Sequence, residues 1–382
     1  MKSIEKNSFD VVLVIAHVLH LATGGDHEVT RLTRRLVRDE FKVSIIYLRN
    51  PEKNLTNIID EPTLKEFLSK RPFIHTLYYT VLATKIGFKV FVPILRKLKG
   101  IDFKEDYRGA KVYFMKDLNV NIKSRAIIAQ SFEPAFFVDA LNFHGDKFYR
   151  IHHSFDDPSF SGDLSTLAAK SFTLPLKKIV ENDIVEKRFE ADKPIRIHIG
   201  VDTEIFPCYN NPENRAPIVL LPLRRNKSKG SVYGITAMQE LHAEYPDLKI
   251  ISFGNLSMKE IPEFIDYRGV VSLKELVELY NSASITVIPS IVEGTSLPAL
   301  EAMNCGSAVV STKNEGVDSF ATDGYDSILV PIRDSDAIVK NVKALLQDEN
   351  LRIEIARNGM KTAKNYSYDR SYEELITGMG LK

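Results

Sequence analysis

Tryptophan is absent from this 382-residue chain, and cysteine occurs only twice, at Cys208 and Cys305. Two cysteines so far apart form neither a disulfide framework nor the paired spacing of a zinc site, and they fit a reducing compartment. An excess of charge of either sign is also lacking: 51 basic residues face 50 acidic ones, a formal net charge of +1. That balance supplies no overall field for binding nucleic acid. Long apolar runs are missing too, none approaching the roughly 20 consecutive apolar residues that a membrane-spanning helix requires. The apolar stretch 11–22 resembles a signal-peptide core in length. However, Glu5 and Asp10 precede it, His17 and His20 interrupt it, and no small-residue cleavage site follows. It reads instead as a buried first strand, and the chain as a cytoplasmic protein.

The composition, 44% hydrophobic and 26% charged, is that of a globular protein, and the length exceeds what one core usually holds. Residues 11–15 form a short, wholly apolar strand of the kind found inside parallel sheets. After Gly24-Gly25, Val29, Leu32, Leu36 and Val37 recur at helical spacing, and Arg31, Arg34, Arg35 and Arg38 fall largely on the opposite, solvated face. Residues 43–48 give a second strand, completing a βαβ unit. Residues 126–129 and 148–151 add strands, with a helix near 134–142 between them. The same grammar restarts at 218–223 and continues through a helix at 232–244 and a strand at 249–253. A helix is started by the Ser272/Glu275 capping box. Strand 285–289, helix 298–303 and strand 308–311 follow. Pro207, Pro212 and Pro217 interrupt regular structure between the halves. The fold class is therefore α/β, with two Rossmann-like, doubly wound domains.

Residues 67–101 fit neither half. They hold seven lysines and arginines, no acid, and Phe73, Leu77, Tyr78, Phe88, Phe91 and Leu95. Such a segment either lies peripherally in an anionic bilayer surface or packs as helices with a solvated basic face.

The chemistry concentrates in 288–303. A strand ends at Pro289, a loop carries Glu293, and a helix starts near Leu297 with Pro298 in its first turn, where a missing N–H costs little. Ligands of open α/β sheets bind at the carboxyl ends of strands, and a helix start there suits a diphosphate or sugar oxygens. Glu301 lies about one turn further along, so both carboxylates can address one ligand. By spacing alone, a local cap at Glu293 and a surface Glu301 explain the pattern equally well.

This Glu-(seven residues)-Glu segment resembles the signature of retaining, GT-B-fold glycosyltransferases of sequence family 4 (glycosyl transferases group 1). The resemblance extends, in order, to five further elements. Residues 197–206 are similar to the family's entry into the linker, and 223–230 (Leu-Arg-Arg-Asn-Lys-Ser-Lys-Gly) to its phosphate loop. Cys305-Gly306-Ser307 with 308–312, Asp323-Gly324 with 328–331 and Asp334, and Tyr366-Ser367-Tyr368-Asp369 match the rest. The first 200 residues match only loosely.

The resemblance implies a domain of residues 1–203 on the acceptor side and a nucleotide-sugar donor domain of residues 204–365. It also implies a helix, 366–382, returning to the first domain, and a central cleft. Glu293 would face the transferred sugar, with the amides of Gly294, Thr295, Ser296 and Leu297 on its hydroxyls. Glu301, ionised, would accept from the ribose. Arg224, or Arg225 in its place, and Lys229 would neutralise the departing diphosphate without a metal. Gly24 and Gly25 match a glycine-rich loop before a helix, and either His152 or His153 matches a histidine on the donor sugar. Thr295 and Ser296 stand where the family has an aromatic residue and a glycine, and Leu223 where it has a glycine. No cofactor is implied. The partners would be a nucleotide-diphosphate sugar and a glycan or glycolipid acceptor, in surface-polysaccharide or glycolipid assembly at the inner face of the membrane. A catalytically inactive partner subunit, a nucleotide-sugar epimerase and a membrane-binding module are the rival readings. Asp334-Ser335-Asp336 imitates a metal-binding motif, but its place before Ala337 and Ile338 suits a helix N-cap. His17 and His20 have zinc-like spacing without a second ligand pair.

Overall fold

The computed structural model describes residues 7–15, 24–48, 107–115, 121–152 and 163–382. The basic segment 67–101, His17, His20 and His153 lie outside the described residues. The first sheet contains β1 (Ser8–Ile15), β2 (Val43–Leu48), β3 (Lys111–Met115), β4 (Lys123–Ala129), β5 (Asp146–Ile151), β6 (Lys177–Val180) and β7 (Ile195–Arg196). Its order is β3-β2-β1-β4-β5-β6-β7, parallel throughout. All six residues of β2 are buried, as expected of a strand covered on both faces. The described helices of this half are α1 (Gly24–Arg38), α2 (Phe132–Ala140), α3 (Asp163–Phe172) and α4 (Asp183–Arg188).

The second sheet contains β8 (Ile218–Leu223), β9 (Lys249–Gly254), β10 (Asp266–Tyr267), β11 (Ile285–Ile288), β12 (Ala308–Thr312) and β13 (Ile328–Val330), in the order β10-β9-β8-β11-β12-β13. With it go α5 (Ser231–Glu244), α6 (Leu273–Ser282), α7 (Leu297–Asn304), α8 (Glu315–Asp318), α9 (Ser335–Gln347), α10 (Glu349–Asn365) and α11 (Tyr368–Gly378). Both sheets are doubly wound, so each has a switch point, between β1 and β4 and between β8 and β11, where neighbouring loops diverge.

The two faces of the first sheet bury alternate residues of the same strands. Val12, Val14, Ile46 and Ile127 pack with Phe136 and Val138 of α2. Val11, Leu13, Ile45 and Ile128 pack with Val29, Leu32 and Leu36 of α1 and with Tyr372, Leu375 and Ile376 of α11. The C-terminal helix therefore completes the core of the first domain. The chain returns alongside its own exit: Val201 N–H donates to Tyr366 O and Tyr368 N–H donates to Val201 O, both at 2.9 Å. Gly200 permits this, because a Cβ there would collide with the backbone of Ser367.

Strands expected at 43–48 and 218–223 match end to end, and that expected at 285–289 stops one residue earlier, at Ile288. Both halves of the Ser272/Glu275 capping box form, and Asp334 caps α9 by accepting from Ala337 N–H at 2.8 Å. Two expectations need correction. Gly24 and Gly25 are the first residues of α1 rather than a loop preceding it. Its arginines are not all on a solvated face: Arg31 stacks over the Tyr368 ring at 4.4 Å and Arg35 over Tyr372 at 4.9 Å, which clamps α1 to α11. Sequence position in α1 could not reveal a partner helix more than 300 residues away.

Candidate active site

The loop after β8 and the loop after β11 meet at the switch point of the second sheet. Asn226 caps a short 3-10 turn, Lys227–Lys229, and Gly230 follows with φ of 60°. Only glycine serves there, because a Cβ would overlap the Pro289 carbonyl. This close approach joins the two loops: Ile291 and Val292 N–H both donate to Ser228 O, at 2.7 and 3.1 Å. Lys229 Nζ consequently lies 2.6 Å from Glu293 Oε2, while Ser290 Oγ donates to Glu293 Oε1 at 2.7 Å. Glu293 is 8% exposed, so its charge is held by these two donors rather than by solvent. From below, Thr312 Oγ1 and Asn314 Nδ2 fix the Ser290 carbonyl. Gly316 packs so closely on Glu293 that a side chain there would strike its Cβ.

The chain then turns into α7. Among the described residues, the amides of Gly294, Thr295 and Ser296 have no acceptor. The amide of Leu297, expected to serve the sugar with them, is instead taken by Thr295 O at 2.9 Å. Thr295 Oγ1 and Ser296 Oγ are buried without partners, and Ser296 makes no side-chain cap to the helix it precedes. Successive free N–H groups at a helix start, flanked by orphaned hydroxyls, form a recess suited to oxygen-rich or anionic groups. In the wild-type residues, then, the departures at 295 and 296 supply additional hydrogen-bonding atoms.

Glu301, one turn into α7, accepts from Tyr280 OH at 3.2 Å. Burial pushes its carboxyl up to about 7, against the opposing pull of Arg31, the Tyr280 hydrogen bond and Arg224. Near neutrality, then, Glu301 is shared between its protonated and ionised forms. Arg224 and Arg225 also separate. The Arg224 guanidinium stacks over Phe253 at 5.2 Å and acts on Glu301, whereas Arg225 is exposed and its backbone is tied to Asn255.

The first domain faces this recess with the carboxyl ends of its own strands. Asn182, after β6, donates from Nδ2 to Gly294 O at 3.2 Å, and Arg31 of α1 acts electrostatically on Glu301. His152, after β5, sits in a buried cluster with Arg150, Glu28 and Glu181. Arg150 binds Glu28 and, at 2.6 Å, Glu181. His152 Nδ1 lies 2.8 Å from Glu181 Oε1, and Nε2 lies 3.1 Å from Gln130 O. A carbonyl only accepts and an ionised carboxylate only accepts, so both ring nitrogens carry protons. Burial alone would lower the His152 pKa, but Glu181 outweighs it and the net shift is upward. Glu181 falls to about 2: burial opposes this, and His152 and Arg150 overcome it. Both nitrogens of His152, one of the two histidines matched to the donor sugar, are therefore engaged by the protein. Glu28, His152 and Glu181 place three ligand atoms within 4.8 Å of one another, a spacing compatible with a metal ion. Arg150 already bridges both carboxylates, so a cation there would have to displace it.

The sequence reading missed Ser290, Thr312, Asn182 and Arg31. Asn182 was detectable as the cap of α4 from its place before Asp183-Ile184-Val185, but its reach to another domain carries no local signal.

Residues 203–362 match the family model described as glycosyl transferases group 1. An uncharacterized glycosyltransferase of Methanocaldococcus jannaschii is 24% identical over 367 residues, covering 91% of this chain and 93% of that protein. The D-inositol 3-phosphate glycosyltransferase of Acidothermus cellulolyticus is 33% identical over 52% of each chain, so this chain spans about half of its length. Among solved structures, Anabaena HepE in complex with UDP and glucose has the same fold, with a TM-score of 0.69 and 11% identity over 98% of this chain and 100% of that one. Residues 203–362, which carry Lys229, Glu293 and Glu301, thus match the glycosyl transferases group 1 model, and the two parallel-sheet domains form a GT-B fold.

Proposed function

We propose that this chain is a retaining, metal-independent glycosyltransferase that moves a sugar from a nucleotide-diphosphate sugar to a glycan or glycolipid acceptor. The observation that carries the reading is the junction of Lys229, Glu293 and the free amides of Gly294, Thr295 and Ser296 at one switch point. In the reaction, the bond between the sugar's anomeric carbon and the diphosphate oxygen breaks, and its electron pair leaves with the diphosphate. Negative charge grows on that oxygen in the transition state, so Arg224 and Lys229, fixed nearby, lower the barrier. Glu293 lies against the sugar, and the loop amides and the Thr295 and Ser296 hydroxyls take its hydroxyl groups. The ionised fraction of Glu301 accepts from the ribose. The acceptor oxygen bonds to the anomeric carbon from the face the diphosphate leaves, passing its proton to the departing phosphate oxygen and retaining configuration.

HepE, of the same fold, was solved with UDP and glucose, which supports a nucleotide-sugar donor here. Surface-polysaccharide or glycolipid assembly at the inner face of the membrane is the proposed setting. Among the described residues no helix is long and apolar enough to cross a membrane. The test is transfer from UDP-, GDP-, ADP- and dTDP-sugars to candidate acceptors in the presence of a chelator, with the product's anomeric configuration read by proton NMR. Retention without metal supports the reading. Inversion, dependence on metal, or isomerisation of the sugar without an acceptor would each contradict it.

A further inference from the structure

We infer that Asn182 is a positioning residue through which the first domain sets the orientation of the sugar-binding loop in the second. The inference rests on the proposed transfer site and names a part of its control. Asn182 is 1% exposed, and both ends of its carboxamide are committed. Oδ1 accepts from Val185 N–H at 2.9 Å and caps α4, whereas Nδ2 donates to the Gly294 carbonyl at 3.2 Å. The first bond is internal to one domain. The second spans the two.

Its anchor is stiff. Asn182 directly follows Glu181, whose carboxylate is fixed by Arg150 and His152 in the buried charge cluster. Its target has no side chain. Gly294 lies in the loop whose next amides, of Thr295 and Ser296, lack acceptors among the described residues. In a trans peptide the carbonyl and the following N–H point in opposite directions. Holding the Gly294 carbonyl toward the first domain therefore turns the Thr295 N–H away from it. The amide direction in the recess thus depends on a group that belongs to the other domain. Gly294 has no side chain of its own whose packing could fix that peptide plane. When the domains separate, this bond breaks and the plane is free to turn, so loop geometry and domain approach are coupled.

Asn182→Asp isolates the cross-domain bond, because aspartate caps a helix as well as asparagine does but has no N–H to donate. Asn182→Ser also keeps a cap and is too short to reach Gly294. Hydrogen exchange on the ligand-free, full-length protein reads the effect without any substrate. In both variants the amides of Ile291 and Val292, protected by Ser228, are expected to exchange about fivefold faster or more, the scale of one lost hydrogen bond. Those of α4 should stay at the wild-type rate. Loop exchange within twofold of wild type in both variants overturns the inference. In transfer assays the same variants should lose about tenfold in kcat with donor KM moved less than threefold, and wild-type kcat in both would also overturn it. If the loop loosens as expected while wild type transfers from no nucleotide sugar, the positioning role stands and the glycosyltransferase reading falls.

Discussion

Lys229 Nζ and Glu293 Oε2 stand 2.6 Å apart, joined from two loops that meet at the switch point of the second sheet. Neither loop could hold its charge in place alone. Gly230 brings the backbones together, and Ser290 shares the carboxylate with the lysine. Losing one partner leaves a buried charge, whereas losing both leaves two neutral groups.

Lys229→Met should therefore reduce stability by about 1–3 kcal/mol, the cost of an unsatisfied buried group. Glu293→Gln alone keeps hydrogen-bond partners and should cost less. The double variant should recover most of the stability lost by Lys229→Met. All three should lose about 100-fold or more in turnover, the scale for removing a group that stabilises developing charge. Urea unfolding and kcat at saturating donor measure the two effects separately. Recovery of activity along with stability would assign the pair a structural role only.

Glu301 gives a signed pH dependence. Its carboxyl is raised by burial to about 7, above its ordinary value, so between those two pH values the folded chain binds more protons than the unfolded one. Stability then falls as pH rises through that window and levels off above it. Glu301→Gln, which cannot ionise, should raise the melting temperature at pH 8 and have little effect at pH 4. Donor affinity should behave oppositely, increasing from pH 6 to pH 8 as the ribose acceptor ionises, and this rise should vanish in the variant. Calorimetric titration at three pH values checks it. A pH-independent affinity in wild type would remove Glu301 from the ribose.

The cluster in the first domain has the reverse sign on its two sides. His152 is raised, so its stabilisation is present below its unfolded pKa and is lost as pH rises through the folded value. Glu181 is lowered to about 2, so its share is present above its ordinary value and is lost as pH falls toward 2. Glu181→Gln should destabilise by about 3–5 kcal/mol, because Arg150 and His152 lose a buried counter-charge. The alkaline loss of stability that His152 causes should disappear in the same variant. Thermal denaturation across pH 5 to 9 would show both, and an unchanged alkaline limb would contradict the assignment.

Gly230→Ala tests the junction of the loops. Its φ of 60° and the Pro289 carbonyl leave no room for a methyl group. The substitution should cost several kcal/mol, at or above the large end for single changes, about 4 kcal/mol. Gly269→Ala is the control: it also has positive φ, but nothing lies within 4 Å of its added Cβ, so only backbone strain of about 1–2 kcal/mol applies. Equal losses in the two variants would show that the Pro289 contact contributes nothing.

The second half of the fold was the more legible from sequence. Strands such as 218–223 are wholly apolar, and caps at Ser272 and Asp334 act within one helical turn, so local chemistry decides them. The Glu293 and Glu301 pair was visible because both residues lie within one strand–loop–helix unit. What escaped is what depends on distant chain. Arg31 and Arg35 look like a polar face until Tyr368 and Tyr372 arrive from the C-terminus with the same one-turn spacing. Asn182 reads as a helix cap, and the bond to Gly294 exists only once two domains face each other. The titration of Glu301 was not legible for a related reason, since burial by the assembled fold, not the residue type, sets it.

The most direct measurement is the melting temperature of wild type and Glu301→Ala in the presence of UDP-, GDP-, ADP- and dTDP-sugars, without added metal. A ligand that binds only the folded state raises its apparent stability by mass action. A nucleotide-sugar site at the β11–α7 junction predicts an upward shift with one nucleotide class in wild type and none in the variant. No shift with any of the four, or a shift that survives Glu301→Ala, would contradict it.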